Sequence, residues 1–575
     1  MQKRVLVSLV LALSSCSRVV APSVPNAYVP TTADARPTIK KGNVYTGEDG
    51  SLGSIAGTLP SGAETDPLIT GGTELPMMNE PVVKMPEEVP IETDPKVPVD
   101  PLPEPRSFRT ITVIPTENRG TWEGFGAKLG AWANAVGASD YQDIYADLFF
   151  TNKNTAFTNT VLPGLGLNIV RYGIGGGGRE SDIMDRAEIN PLDLAAYRDV
   201  EGFWIDPISD DRDSMSFDWS RDANQRSLLL AAKERGISNF EFFSLAPMWW
   251  MTKESTTVGG TLQNPQAFAK YLSSVVQYAR DDWMIPVTSL APFNEPTSDR
   301  WTLKGSEPGI KLNSAGLAAI LVELYKEFAV RDLTSTVTLS GFDEGTPRAG
   351  LVLQEELNAK SPDVFEKINI HTSDRAGPSR DVKSKEALRI SAGEKRIWVS
   401  DHSDGESDGM SLATSIVEDI RSMKATAWIY GQPVDTMSSR GLVLSNFDMS
   451  DAEEGVRGRP IGISVKHYIL AQFSRFIRPG QQIIGGSDDK SLLAYDAESQ
   501  RLSVVILNTT KLQQDVDIDL SAFKSWSQSI AHVVTRGDGM KVWKAKSVGV
   551  FSKKIRVTVE PGSVSSLEIP EALLK

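Results

Sequence analysis

Asn294-Glu295-Pro296 follows the apolar run Ser289-Leu290-Ala291-Pro292-Phe293, and Asp401 follows Arg396-Ile397-Trp398-Val399-Ser400. Each is a carboxyl placed where a strand would end. Two carboxyls facing one another across a cleft, one a proton donor and the other a nucleophile or base, are what hydrolysis of a glycosidic bond requires. Glu295 alone is ambiguous, because a solvated turn glutamate looks the same. A second copy, Asn79-Glu80-Pro81, lies in a stretch without periodicity. A carboxyl on a mobile chain has no fixed partner and no desolvation to tune it, so that copy is set aside. Asp404, Glu406 and Asp408 follow Asp401 on what reads as loop. Other side chains fall at similar places. Arg171 ends Asn168-Ile169-Val170-Arg171 and would hold a carboxylate ionised, or serve as a structural ion pair. His371 ends Lys367-Ile368-Asn369-Ile370-His371 and would orient a carboxylate, or play a structural part. Asn294 is suited to hydrogen-bond a sugar hydroxyl. Trp249 and Trp250 would offer apolar platforms to sugar rings, or pack in the core.

The elements that must hold these residues alternate. Gly166–Gly178 reads as a buried strand running into a glycine loop, and Arg226–Gly236 as a helix. Asn239–Met251 reads as the next strand with its exit loop, and Pro265–Asp282 as an amphipathic helix before the strand that leads to Glu295. Later strands fall around residues 366–373, 396–405 and 425–432. Continuous apolar strands alternating with helices predict a parallel sheet covered by helices. The length suits an eight-fold β/α barrel, which places its chemistry at the C-terminal ends of its strands. From about residue 466 short strands with turns predict an antiparallel β-sandwich. Gly173–Gly178 fits G-x-G-x-x-G, but mostly because it is a glycine run deep in the chain, and a dinucleotide site is not expected.

The chain has 575 residues, 40% of them hydrophobic, and a net charge of −14. Such acidity argues against nucleic acid or an anionic membrane surface as a partner. The four histidines (His371, His402, His467, His532) are scattered and Cys16 is the one cysteine, so neither a metal site nor a cofactor is expected. Lys3 and Arg4 precede an apolar run from Val5 to Leu13, too short to span a bilayer, which fits a signal peptide. Leu13-Ser14-Ser15-Cys16 resembles the bacterial lipobox, in which the cysteine is lipidated; the plainer reading is an ordinary signal peptide. Residues 17–106 hold 15 of the 33 prolines and predict an extended, solvated tether.

Taken in order, these segments resemble glycoside hydrolase family 30, whose barrels carry two catalytic glutamates. Trp122–Ala133 resembles the family's W-E-G-[FW]-G-x-S-L-x-W-W-A. Asn168–Tyr172 with its glycines, Phe217–Gln225, Ala246–Met251, Leu290–Pro296, Gly409–Ile420 and Tyr468–Gly480 each match a family segment, and two of them look most like the endo-β-1,6-galactanase branch. The resemblance implies that Glu295 is the acid/base with Asn294 as its partner, and that Arg171, His371 and Tyr430 belong to the site. It also implies that a strand before the barrel joins the side domain. Three departures stand out. Asp401 occupies the place of the nucleophilic glutamate in W-x-S-E-[YF]-G. Gly431 occupies that of the tryptophan in Y-W-Q, which leaves room beside the site. Ser244-Leu245-Ala246-Pro247-Met248 replaces S-N-S-P-M.

The expected organisation is a lipoprotein-type signal peptide (1–16), a proline-rich tether (17–106), a side-domain strand (107–118), a (β/α)8 TIM barrel (119–465) and a β-sandwich side domain (466–575). The expected function is an exported, lipid-anchored or secreted monomeric glycosidase acting on β-linked poly- or oligosaccharide, with Glu295 as acid/base and Asp401 as nucleophile or base. The alternative is a catalytically impaired barrel that only binds carbohydrate.

Overall fold

The computed structural model describes residues 106–157, 160–177, 200–305, 307–360, 364–372, 381–403, 405–437, 439–446, 458–537, 544–545 and 548–575. The expected signal peptide with Cys16, the tether, the Asn79-Glu80-Pro81 copy and Asp404 lie outside these residues.

Eight parallel strands close into a barrel. In order they are Gly124–Lys128, Ile169–Ile174, Asn239–Ser244, Val287–Ala291, Thr338–Glu344, Lys367–His371, Arg396–His402 and Ala427–Tyr430. Ala427–Tyr430 pairs with Gly124–Lys128 and so joins the last strand to the first. The strands are apolar because helices cover their outer faces, as parallel sheets require. The helix Pro265–Asp281 shows how local sequence sets a boundary. Asn264 accepts a hydrogen bond from the Ala267 N–H, and Pro265 occupies the first turn, where its missing N–H costs nothing.

The barrel interior is not wholly apolar. Arg171 on the second strand donates from Nε to Glu241 Oε1 at 2.7 Å and from Nη2 to Asp343 Oδ2 at 2.6 Å. Lys367 on the sixth strand donates to Glu241 Oε2 and, at 2.8 Å, to Ser289 Oγ. Asn369 Nδ2 also donates to Glu241, at 2.7 Å. Each of these charges is fully buried and paired, which is the condition under which buried charge is tolerated.

The side domain is built on a ten-stranded sheet. One of its interior strands is Arg106–Thr121, one residue longer at its N-terminal end and three at its C-terminal end than the 107–118 read from sequence. This strand pairs antiparallel with Gln482–Gly486 through its second half and parallel with Gln513–Asp519 through its first half. The pairing with Gln513–Asp519 is the one parallel pairing among the described strands of this otherwise antiparallel sheet. The sheet folds over a core of its own, with Ile111, Val113, Leu493, Val504, Val516, Ile555 and Leu567 among the residues buried in it. A helix, Val465–Ser474, stands between the barrel and this sheet, with every residue buried.

Candidate active site

At the C-terminal ends of the strands a cleft of about 310 Å³ opens, and Lys128, Asn294, Glu295, Arg300, His371, Asp401 and Gly431 line it. Glu295 follows the fourth strand and Asp401 lies near the end of the seventh. The barrel thus brings into one cleft two carboxyls separated by about a hundred residues of chain.

Glu295 is held by its backbone as well as its side chain. Its N–H donates to Asp343 O at 2.6 Å, and its own carbonyl accepts from Trp301 Nε1 at 2.8 Å. The residue before a proline ordinarily takes an extended conformation. Glu295 instead has φ 46°, a left-handed conformation that costs a non-glycine residue roughly 1–2 kcal/mol. Those two hydrogen bonds hold it there. On the side chain, His371 Nδ1 lies 2.8 Å from Oε1 and Arg300 Nε lies 3.1 Å from Oε2.

His371 bridges two carboxylates, with Nε2 3.1 Å from Asp343 Oδ1. Burial works against its charge, but Asp343 and Glu295 raise it to about 10, so it is an imidazolium at neutral pH. Burial likewise opposes ionisation of Asp343, yet Arg171 and His371 hold it well below the carboxylate range. Ser400 Oγ donates to Asp343 Oδ1 at 2.5 Å and adds to this. Burial pushes the Glu295 carboxyl up, and His371 and Arg300 more than offset it, so Glu295 sits below the usual glutamate value. Asp401 is also pushed up by burial, and Lys128, His371 and Arg171 together bring it down to about 2. Lys128, the last residue of the first strand, donates to Asp401 Oδ2.

The residues singled out from sequence fall into two groups. Glu295, Asp401, His371 and Asn294 line the cleft. Arg171 does not; it is wholly buried beneath the cleft and acts through Asp343 and through a 2.8 Å hydrogen bond to Ser400 O. Trp249 and Trp250 form one helical turn packed on the main core, with Trp250 Nε1 donating to Trp204 O at 2.9 Å, and neither lines the cleft. Tyr430 is buried with its hydroxyl on Arg440 O at 2.5 Å. The room expected beside Gly431 is occupied: a Cβ there would lie 1.8 Å from Asp401 Oδ1. Lys128, Arg300 and Asp343 went unremarked in the sequence. Lys128 and Asp343 sit at strand ends, the same signal that singled out Arg171 and His371. Arg300 lies five residues beyond Glu295, where only the loop geometry brings it back.

Comparison with known proteins bears on the family and the fold. The family model described as O-Glycosyl hydrolase family 30 matches residues 108–345. An endo-β-1,6-galactanase of Hypocrea rufa is 32% identical over 480 residues, covering 82% of this chain and 96% of that protein. Among solved structures, a conserved exported protein from Bacteroides fragilis superposes with a TM-score of 0.64 at 18% identity, over 80% of this chain and all of the other. The catalytic domain of a family 30 xylanase C from Talaromyces cellulolyticus does so at 0.59 and 16% identity, over 80% of this chain and 100% of that one. These two speak for the fold; the relationship over nearly the whole of the fungal enzyme speaks for the family. The chain belongs to glycoside hydrolase family 30, enzymes that hydrolyse O-glycosyl bonds.

Proposed function

We propose that this enzyme is an exported β-1,6-galactanase in which Glu295 is the acid/base and Asp401 the nucleophile or base. The observation that supports the assignment of residues is that Glu295, after the fourth strand, and Asp401, on the seventh, line one cleft, with His371 hydrogen-bonded to Glu295. In this reading Glu295 gives its proton to the glycosidic oxygen as the bond from that oxygen to the anomeric carbon breaks. Asp401 then either bonds to the anomeric carbon, to be displaced by a water that Glu295 deprotonates, or takes a proton from a water that attacks directly. His371 and Arg300 hold the Glu295 carboxyl in place, and Asn294 lines the cleft beside it.

The choice of β-1,6-galactan is supported by the 32% identity to an enzyme named for that activity. Export is supported by the apolar run and Leu13-Ser14-Ser15-Cys16, with residues 17–106 as tether. A reducing-sugar assay over β-1,6-galactan, β-glucans and xylan, with Glu295→Gln as control, tests the reading. Release from the galactan alone, abolished in the control, is expected. Release from xylan or glucan and not galactan would reassign the substrate, and binding without release would make the chain a carbohydrate-binding barrel. Proton NMR of the first-formed anomer distinguishes attack by Asp401 from attack by water.

A further inference from the structure

Asp401 is held by two residues from strands that flank one another on one side of the barrel. Lys128 ends the first strand and donates to Oδ2. Gly431 directly follows the eighth strand, and the position its Cβ would take lies 1.8 Å from Oδ1 and 2.9 Å from Cγ of Asp401. No side chain fits at 431 while the carboxylate stands where it does. Gly431 N–H donates to His402 O at 2.8 Å, which ties that backbone to the strand bearing Asp401. The contact is therefore fixed from both sides.

We propose that Lys128 and Gly431 form a cradle that positions the Asp401 carboxylate for its step: the ammonium fixes one oxygen, and the bare α-carbon makes room for the other. The proposal rests on Asp401 being the reacting partner of Glu295. Other charged groups face Asp401 from the surrounding elements. Arg171 comes from the second strand, Glu295 from the loop after the fourth, and His371 from the sixth. The two cations are already shared among carboxylates, Arg171 with Glu241 and Asp343, and His371 with Glu295 and Asp343. Lys128 has Asp401 as its acid partner and, at 23% side-chain exposure, reaches it from the cleft wall. It does not touch the bond being broken in this account; it is a positioning residue.

The test combines Lys128→Met, which keeps the stem and removes the charge, with Lys128→Arg and Gly431→Ala. The first readout is the pH dependence of kcat/KM on whichever glycan the wild type cleaves. The second is carbon-13 titration of the Asp401 carboxyl, assigned by its loss in Asp401→Asn. In wild type that carboxyl is expected to titrate below the ordinary aspartate value of about 3.9. In Lys128→Met it moves up by about one unit or more, as loss of an opposite charge at contact distance requires, and the acid limb of kcat/KM moves with it. Lys128→Arg restores both. Gly431→Ala lowers kcat by about tenfold or more at little change in KM, as expected when a reacting group is displaced by about 1 Å. An unmoved titration in Lys128→Met, or a fully active Gly431→Ala, overturns the cradle. If the wild type cleaves nothing, the galactanase reading fails, and the carboxyl titration still decides this one.

Discussion

Glu295 must carry a proton when substrate arrives, whereas Asp401 must not. Both are held below their ordinary values, Asp401 at about 2 and Glu295 below the usual glutamate value. The competent pair therefore exists above the Asp401 value and declines as pH rises through that of Glu295. We expect kcat/KM to be bell-shaped, with its alkaline limb below the ordinary glutamate range. A plateau extending to neutral pH would mean that Glu295 is not the proton donor of the free enzyme. Glu295→Gln keeps size and shape and removes the proton, and should cost about 10²–10⁴ in kcat on poor leaving groups. The loss should be smaller on aryl glycosides with good leaving groups, which need little protonation. Much at this scale was legible: Glu295, Asp401 and His371 stand at strand ends, where a barrel collects its chemistry. The cradle was not. Asp401 and Gly431 each stand as an isolated departure from the family pattern, with room expected beside the site at Gly431. Only the barrel's closure shows that one fills the other's space.

At the scale of elements, the strands carry charges that a hydrophobicity pattern treats as noise. Glu241 interrupts Asn239–Ser244 and Lys367 opens Lys367–His371, yet they meet across the barrel. Arg171 joins them on one side and reaches Asp343 on the other. Such pairs join residues about 70 to 170 positions apart, and nothing local predicts them. Continuous apolar character was enough to read the strands, because that depends only on helices covering them. Removing one partner from this network should be costly. Arg171→Met removes one of two cations from Glu241 and one of two from Asp343, leaving Lys367 and His371 respectively, and strips a donor from Ser400 O. The expected loss is about 3–5 kcal/mol of stability, read as a lower denaturant midpoint at unchanged slope. A change within about 0.5 kcal/mol, typical of a surface substitution, would show that the network contributes little. Asp343 would lose its strongest ionising partner in the same variant, so activity should fall further than stability alone accounts for.

At the scale of the whole molecule, one strand ahead of the barrel ties it to the side domain. The proposed tether and lipid anchor at Cys16 belong to this scale. Cys16→Ala should shift the full chain from the detergent phase to the aqueous phase, and equal partitioning of both proteins would exclude an anchor at that residue. The described residues make a stronger demand. Arg106–Thr121 is an interior strand of the side-domain sheet, between Gln482–Gly486 and Gln513–Asp519. It places Ile111 and Val113 in that core, and Arg109 Nη2 donates to Leu507 O at 3.0 Å. Just beyond it, Trp122 N–H donates to Gln481 O at 2.8 Å, binding the start of the barrel to the same sheet. A chain beginning at residue 122 would retain the whole barrel by sequence. It would also expose two strand edges and an apolar face, the arrangement that pairs with other chains. It should aggregate or melt well below a chain beginning at residue 104, which should match the full-length protein. Light scattering and thermal unfolding of the two, side by side, check this. If the shorter chain is equally soluble and melts at the same temperature, the side domain does not depend on the strand that precedes the barrel.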